Sequence, residues 1–131
     1  MWSGDAQYWG RTAPVIFPTI GRLKDDKYTY NEQEYSLTQH GFARDSQFAL
    51  IEENDHSLRY RLSSSEASLK KYPFEFQFDI IYSLIDAKLK VTYEVSNSDE
   101  KELLFSIGGH PGFNCQWQKN DQILRERYKP K

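Results

Sequence analysis

The chain has 131 residues, a formal net charge of −2 and a single cysteine. A chain of this length forms one domain at most, here residues 1–131, and is long enough to bury a core. One cysteine excludes an internal disulfide framework, and the near-neutral charge argues against a nucleic-acid binder that neutralises phosphates. No apolar stretch approaches a membrane span of about 18 residues, and the first residues do not resemble a signal peptide. We therefore expect no membrane partner and a cytoplasmic location.

The first half of the sequence predicts a short strand, two hairpins and one helical turn. Residues 15–17 form an apolar run between two prolines, which is typical of a short buried strand. Each hairpin consists of two runs of strand-forming residues joined by a polar turn. The paired runs are 27–30 with 35–38, and 48–52 with 58–62. Residues 64–71 are the helical candidate, with Ser65 as its cap and Pro73 beyond its end.

The second half contains the clearest strands. Residues 74–80 and 88–95 alternate strictly between apolar and polar side chains, so each strand buries one face. The short connection at 85–87 predicts that they form an antiparallel hairpin. Residues 103–107 are the last predicted strand, whereas residues 116–131 lose the periodicity and form an atypical tail. The pattern predicts an all-β fold.

The first candidate site is the segment Gln39-His40-Gly41-Phe42-Ala43-Arg44-Asp45. In an extended segment, His40, Phe42 and Arg44 share one face. A histidine beside an arginine binds the polar oxygens of a ligand. The alternative is a surface loop with a structural contact between Arg44 and Asp45.

The second candidate site is the segment Gly108-Gly109-His110-Pro111. Two glycines allow the backbone to approach another group closely, and Pro111 favours extended backbone at His110. A histidine fixed at a strand end is suited to general acid or base catalysis. The alternative is a glycine-rich turn in which His110 bonds a carbonyl group.

Other chemistries have little support in the sequence. His40, His110 and Cys115 lack the spacing of a zinc site, and His56 lies in a polar turn. The sequence contains no phosphate loop, dinucleotide fingerprint or nucleophile elbow. We therefore expect no metal ion and no cofactor.

Five segments, in order, resemble the aldose 1-epimerase (galactose mutarotase) superfamily, and specifically its LacX-like branch. They are WGRTAPVIFP at 9–18, GRL at 21–23, QHGFARD at 39–45, LKKYPF at 69–74 and FSIGGHP at 105–111. The resemblance covers roughly residues 2 to 114. It implies that the chain is part of a large antiparallel β-sandwich that binds sugar on a concave sheet face.

The resemblance also implies roles for four residues. His110 is the general acid that protonates the ring oxygen of an aldohexose, and His40 positions the same region of the sugar. Arg22 contacts sugar hydroxyl groups, and Arg44 is a second candidate for that role. The two arginines leave open whether the ligand is a neutral aldohexose or a hexose phosphate.

The sequence departs from the family at the catalytic base. That base is usually a glutamate near the C-terminus, whereas Glu52, Glu53 and Glu94 lie in no matching motif. We interpret the chain as a truncated, N-terminal part of the family's sandwich, weakly active or inactive alone. The alternative is a non-catalytic carbohydrate-binding or regulatory module. Because half a sandwich leaves sheet edges unpaired, we expect a homo-oligomer formed through those edges.

Overall fold

The computed structural model describes residues 2–114, so Cys115 and the predicted tail at 116–131 lie outside the described residues. The described chain divides into two compact units, residues 15–110 and residues 2–14 with 111–114. None of the helices in residues 2–114 has the length and apolar character needed to cross a membrane.

The regular structure of the larger unit consists mostly of antiparallel strands with very little helix, which confirms the all-β prediction. The strands in chain order are β1 (Val15–Ile16), β2 (Lys27–Tyr30), β3 (Gln33–Ser36), β4 (Ala49–Asn54), β5 (Ser57–Ser63), β6 (Phe76–Ile85), β7 (Lys88–Asn97) and β8 (Gly108–Gly109). The strands β4-β5-β6-β7 form one sheet, and β2 pairs with β3 and β1 with β8. The three predicted hairpins therefore exist, with bounds shifted by a few residues.

The helical turn is also confirmed, although it is shorter than predicted. Helix α1 spans Glu66–Leu69, and the Ser65 hydroxyl accepts a hydrogen bond from the Ser68 amide at 3.2 Å. The Ser68 hydroxyl in turn accepts from the Ser65 amide at 2.8 Å, which completes a reciprocal cap.

The alternation in β6 divides the four-stranded sheet into an apolar face and a polar face. Phe76, Phe78 and Ile80 are buried on the apolar face. Their neighbour Phe17 is fully buried, and its ring centroid lies 5.0 Å from those of Phe76 and Phe78. Removing a ring from such a position costs about 3–5 kcal/mol. Phe17, which directly follows β1, is therefore a central anchor of the core.

The polar face of the same sheet holds a cluster of charged side chains around Asp79. Arg61 donates to both carboxylate oxygens of Asp79 at 2.7 Å, and Arg59 donates to one of them at 2.7 Å. Arg59 also donates to Glu94 at 2.8 Å. The Arg61 and Arg59 hydrogen bonds hold the pKa of Asp79 below its usual value, although burial acts in the opposite direction. The cluster joins β5, β6 and β7.

The predicted strand at 103–107 is wrong. The backbone of this segment forms isolated hydrogen bonds and no strand ladder. The Ser106 amide donates to the Pro18 carbonyl at 2.9 Å. The Leu104 carbonyl accepts from the Tyr72 hydroxyl at 2.7 Å. The strand in this region is β8, which begins just after the predicted one ends.

The smaller unit has its own hydrogen bonds. The Trp2 amide donates to the Gly112 carbonyl at 3.0 Å, and the Gly112 amide donates to the Thr12 carbonyl at 2.8 Å. The indole N–H of Trp2 donates to the Trp9 carbonyl at 2.8 Å. These bonds connect the start of the chain to residues just after His110 in sequence.

Candidate sugar site

One short segment, residues 15–17, pairs with both of the predicted site segments. Strand β1 is antiparallel to β8, with Val15 opposite Gly109 and Ile16 opposite Gly108. Phe17 forms a parallel bridge with Gly41. His110 directly follows β8, and His40 directly precedes Gly41. The structure therefore attaches both histidine segments, 70 positions apart in sequence, to the same short strand.

Gly41 allows the His40 loop to approach the core closely. Its φ of +70° is in the left-handed region, and a β-carbon there would collide with the Phe17 carbonyl. That carbonyl accepts hydrogen bonds from the Phe42 and Ala43 amides at 3.1 and 3.2 Å. A glycine at this position is therefore required by both conformation and space.

His40 is held by two hydrogen bonds with Gly21. Its backbone amide donates to the Gly21 carbonyl at 2.8 Å, and its Nδ1 accepts from the Gly21 amide at 3.1 Å. Because Nδ1 is an acceptor, the neutral ring carries its proton on Nε2. Nε2 lies 3.4 Å from the Gln39 side-chain amide. Both nitrogens are donors in this tautomer and do not bond each other, so the Nε2–H can donate to a ligand oxygen.

The premise that residues 40–44 are extended is wrong. His40 has a φ of +67°, Phe42 has helical backbone angles, and Ala43–Asp45 forms a 3₁₀ turn. His40, Phe42 and Arg44 therefore do not share a face by strand alternation. The turn forms because the Ser46 amide donates to the Ala43 carbonyl and the Ser46 hydroxyl to the Phe42 carbonyl.

Arg22 directly follows Gly21, so the bonds to His40 also position its backbone. Its guanidinium group donates to both carboxylate oxygens of Asp26 at 2.9 Å. The hydrogen bond from Arg22 lowers the pKa of Asp26, and the pair lies at the surface. Arg22 is therefore held close to His40 in space through Gly21, but its guanidinium already has an anionic partner.

Arg44 differs from Arg22 because its side chain is only 18% exposed. Its buried Nε has no hydrogen-bond partner among the described residues, and it lies 3.5 Å from an Asp45 carboxylate oxygen. The proposed structural contact with Asp45 is therefore present as an ion pair. The Nε–H retains its capacity to donate to an acceptor.

His110 is exposed at the end of β8. Its position depends on Gly109, because a β-carbon at Gly109 would lie 2.6 Å from the Tyr93 hydroxyl oxygen. Burial, followed by the neighbouring Tyr82, raises the pKa of Tyr93. Tyr93 is not one of the predicted site residues, and the only sequence signal for its position is the alternation of β7, which places it on the apolar face.

The glutamates without a matching motif lie in the four-stranded sheet. Glu52 and Glu53 belong to β4, and Glu94 belongs to β7, where it accepts from Arg59 at 2.8 Å. Within residues 2–114, no three or more His, Cys, Asp or Glu side chains come together as a metal site would require.

This fold and these segments define a galactose mutarotase-like β-sandwich protein. The profile of the aldose 1-epimerase family matches residues 1–129, and the chain belongs to that family. The plasmid-encoded LacX protein of Lactococcus lactis subsp. lactis is 32% identical over 121 residues, which is 88% of this chain and 40% of LacX. The chromosomal LacX protein of the same organism is 31% identical over 121 residues, which is again 88% of this chain and 40% of the relative.

Solved structures show the same relationship. A galactose mutarotase related enzyme from Lactobacillus acidophilus superimposes with a TM-score of 0.88 at 40% identity, over 93% of this chain and 41% of that one. A galactose mutarotase-like protein from Lactobacillus casei gives a TM-score of 0.84 at 38% identity, over 89% and 40% of the two chains. This chain therefore spans about 40% of the length of the relatives it matches.

Proposed function

We propose that this chain is a cytoplasmic aldose 1-epimerase-like protein that binds an aldohexose and interconverts its anomers, weakly when it acts alone. The observation that carries the proposal is the pairing of residues 15–17 with both histidine segments. Family membership supports the type of chemistry, and the segments that contain His40 and His110 are among those that resemble the LacX-like branch. His110 is the proposed catalytic residue, and His40, Arg22 and Arg44 are the proposed binding residues.

The reaction needs an acid and a base at adjacent sugar oxygens. In the protonated state, His110 gives a proton to the ring oxygen as the bond from that oxygen to C1 breaks. The C1 hydroxyl loses its proton to a base, and C1 becomes an aldehyde. Rotation about the C1–C2 bond presents the other face of the aldehyde, and the reverse steps close the ring as the other anomer.

His40 is suited to positioning rather than proton transfer. Its Nδ1 is occupied by the Gly21 amide, so the neutral ring offers one donor, Nε2–H. A fixed donor holds a sugar oxygen in one place relative to His110. Arg44 is a second candidate donor through its guanidinium group, which is partly exposed although its Nε is buried, whereas Arg22 must share its guanidinium with Asp26.

The proposed weakness follows from the lack of a glutamate in a matching family motif among the described residues. Glu94 is engaged by Arg59, and Glu52 and Glu53 lie on β4 outside any family motif. Loss of a general base costs roughly 10²–10⁴-fold in rate. Anomer exchange is already appreciable in water without an enzyme, so the expected acceleration is small and needs a sensitive method.

Exchange spectroscopy by NMR tests the proposal with glucose, galactose and glucose 6-phosphate. We expect an anomer exchange rate above that of the buffer, abolished by His110→Ala. The matched control is His56→Ala, because His56 is exposed in the turn between β4 and β5. Exchange at the buffer rate with the unaltered chain overturns the catalytic proposal, as does an equal effect of the two substitutions.

A second candidate is a non-catalytic carbohydrate-binding or regulatory module. The engagement of Glu94 by Arg59 favours it, because one oxygen of that carboxylate already accepts a hydrogen bond and Glu94 lies in no family motif. The same spectra distinguish the two candidates. Line broadening of sugar signals that saturates with sugar and is lost in His40→Ala, without faster exchange, indicates binding alone.

A further inference from the structure

Strand β7 has an unpaired outer edge in the part of the chain that the structure describes. Its ten residues pair with β6 from Phe76↔Asn97 to Ile85↔Lys88, and β6 is its one strand neighbour there. A long strand of this kind presents a row of backbone donors and acceptors that another strand can pair with.

The charges of β7 are complementary to those of the same strand in the opposite direction. Lys90 and Glu94 lie two positions before and two positions after Thr92. If two copies of β7 pair antiparallel about an axis at Thr92, Lys90 of each copy lies opposite Glu94 of the other. Opposite charges placed directly across two strands stabilise the pair. Arg59 bonds one carboxylate oxygen of Glu94, so the other oxygen is available.

The apolar face of β7 is complementary in the same register. Val91 of one copy lies opposite Tyr93 of the other, and Leu89 lies opposite Val95. Leu89, Val91 and Tyr93 are 56%, 40% and 37% exposed, which is high for side chains of this kind. Pairing places them side by side across the axis and removes part of their apolar surface from water.

The opposite edge strand of the sheet, β4, has neither a regular register nor complementary charges. Its register to β5 shifts between Leu50 and Glu52, and such irregularities discourage further pairing. Its charged residues are Glu52 and Glu53, with no basic residue in the strand. Two copies of β4 would therefore bring like charges together, which favours β7 as the edge that pairs.

We propose that this chain forms a symmetric dimer in which β7 pairs antiparallel with β7 of a second copy about a two-fold axis at Thr92. Two four-stranded sheets then become one continuous sheet of eight strands. The interface is isologous, so each contact occurs twice. The proposal does not depend on the proposed sugar chemistry.

Charge reversal tests the register. Lys90→Glu alone places two carboxylates opposite each other at both pairs, and Glu94→Lys alone does the same with two ammonium groups. We expect each variant to raise the dimer dissociation constant by about tenfold or more, because like charges at an interface are strongly unfavourable. An equimolar mixture of the two variants allows a heterodimer in which both pairs join a carboxylate to an ammonium group, so we expect mixing to restore dimerisation.

The double substitution Lys90→Glu with Glu94→Lys in one chain provides a second compensation. It exchanges the two charges, so each carboxylate again lies opposite an ammonium group in the proposed register. We expect its dimer dissociation constant to return to within about threefold of that of the unaltered chain. Because Glu94→Lys also removes the bond from Arg59, urea denaturation of each variant measures any loss of stability separately.

Sedimentation equilibrium of the full chain gives the dissociation constants, and circular dichroism confirms that each variant is folded. Lys88→Glu is the matched control, because Lys88 lies opposite the uncharged Ser96 in this register and we expect less than a threefold change. Thr92→Cys, in a Cys115→Ser background, is expected to form a disulfide-linked dimer on mild oxidation.

Three results overturn the proposal. One is an unaltered chain that stays monomeric at high micromolar concentration. Another is an oligomer that Lys90→Glu weakens no more than Lys88→Glu does. The third is a folded double variant, Lys90→Glu with Glu94→Lys, that dimerises no better than Lys90→Glu alone.

Discussion

The hydroxyl of Tyr93 lies so close to Gly109 that a β-carbon on this glycine would come within 2.6 Å of it. Tyr93 belongs to β7, an edge strand of the four-stranded sheet, whereas Gly109 is the last residue of β8. The contact therefore connects the large sheet with the residue that precedes His110. The contact restricts the backbone position of the residue that precedes His110, the proposed acid.

Substitution of Gly109 by alanine should move Tyr93 or the end of β8. We expect Gly109→Ala to lower the free energy of unfolding by about 1–3 kcal/mol, as overpacking does in other cores. We also expect it to reduce any exchange activity that depends on His110. Urea denaturation and the NMR exchange measurement check the two effects.

Removal of the Tyr93 hydroxyl provides the control for that prediction. The next atoms of the Tyr93 ring lie 3.5 Å from the added β-carbon, an ordinary contact distance. The double variant Gly109→Ala with Tyr93→Phe should therefore regain most of the stability lost by Gly109→Ala. If Tyr93→Phe brings no recovery, the clash with the hydroxyl is not the cause.

Two glycines with left-handed backbone angles should respond differently to alanine. Gly41 and Gly21 have φ values of +70° and +84°, but a β-carbon would strike the Phe17 carbonyl at Gly41 and meet nothing within 4 Å at Gly21. We expect Gly21→Ala to cost about 1 kcal/mol through backbone strain alone. Gly41→Ala should cost roughly 3 kcal/mol or more, because overlap with backbone is added to strain. Equal midpoints in urea would contradict this difference.

Asp79 should make the unfolding free energy depend on acid pH. Its folded-state pKa is lowered by hydrogen bonds from Arg61 and Arg59, so its contribution is complete above the unfolded value of about 3.9. The contribution is lost as the pH falls through the lower folded pKa. Asp79→Asn should lower the free energy of unfolding by roughly 2 kcal/mol at neutral pH. As the pH falls below about 3.9, the variant should lose less of its unfolding free energy than the unaltered chain does.

Chemical denaturation between neutral pH and pH 3 measures this difference. The matched control is Asp86→Asn, because Asp86 is exposed in the turn between β6 and β7. Its effect should stay within about 0.5 kcal/mol at every pH. Parallel pH profiles of the unaltered chain and Asp79→Asn would contradict the role given to Asp79.

Much of the sheet was predictable because local alternation determines it. Phe76, Phe78 and Ile80 repeat every second residue, and this period specifies both the strand and its buried face. The family and its all-β fold were also recognisable from the ordered segments. The roles of His110, His40, Arg22 and Arg44, and the homo-oligomer, stay predictions.

The errors arose where distant contacts override local pattern. Residues 103–107 have strand-forming side chains, but their backbone partners, such as Pro18 and Tyr72, come from far away in the sequence. The positive φ of His40 is similarly unexpected for a residue that is not glycine, and it is stabilised by Gly21. The alternation of apolar and polar residues in the sequence does not indicate either contact.

The pairing of β1 with β8 has a consequence for the order of folding events. Val15 and Gly109 are 94 positions apart, whereas the hairpins that form the large sheet close over short loops. Closing so long a loop has a large entropic cost, so contacts of this separation typically form late in folding and open early. The chain can therefore lose the alignment of His40 and His110 while the hairpins of β4 to β7 remain intact. An intact far-ultraviolet spectrum is consequently no guarantee of an assembled site.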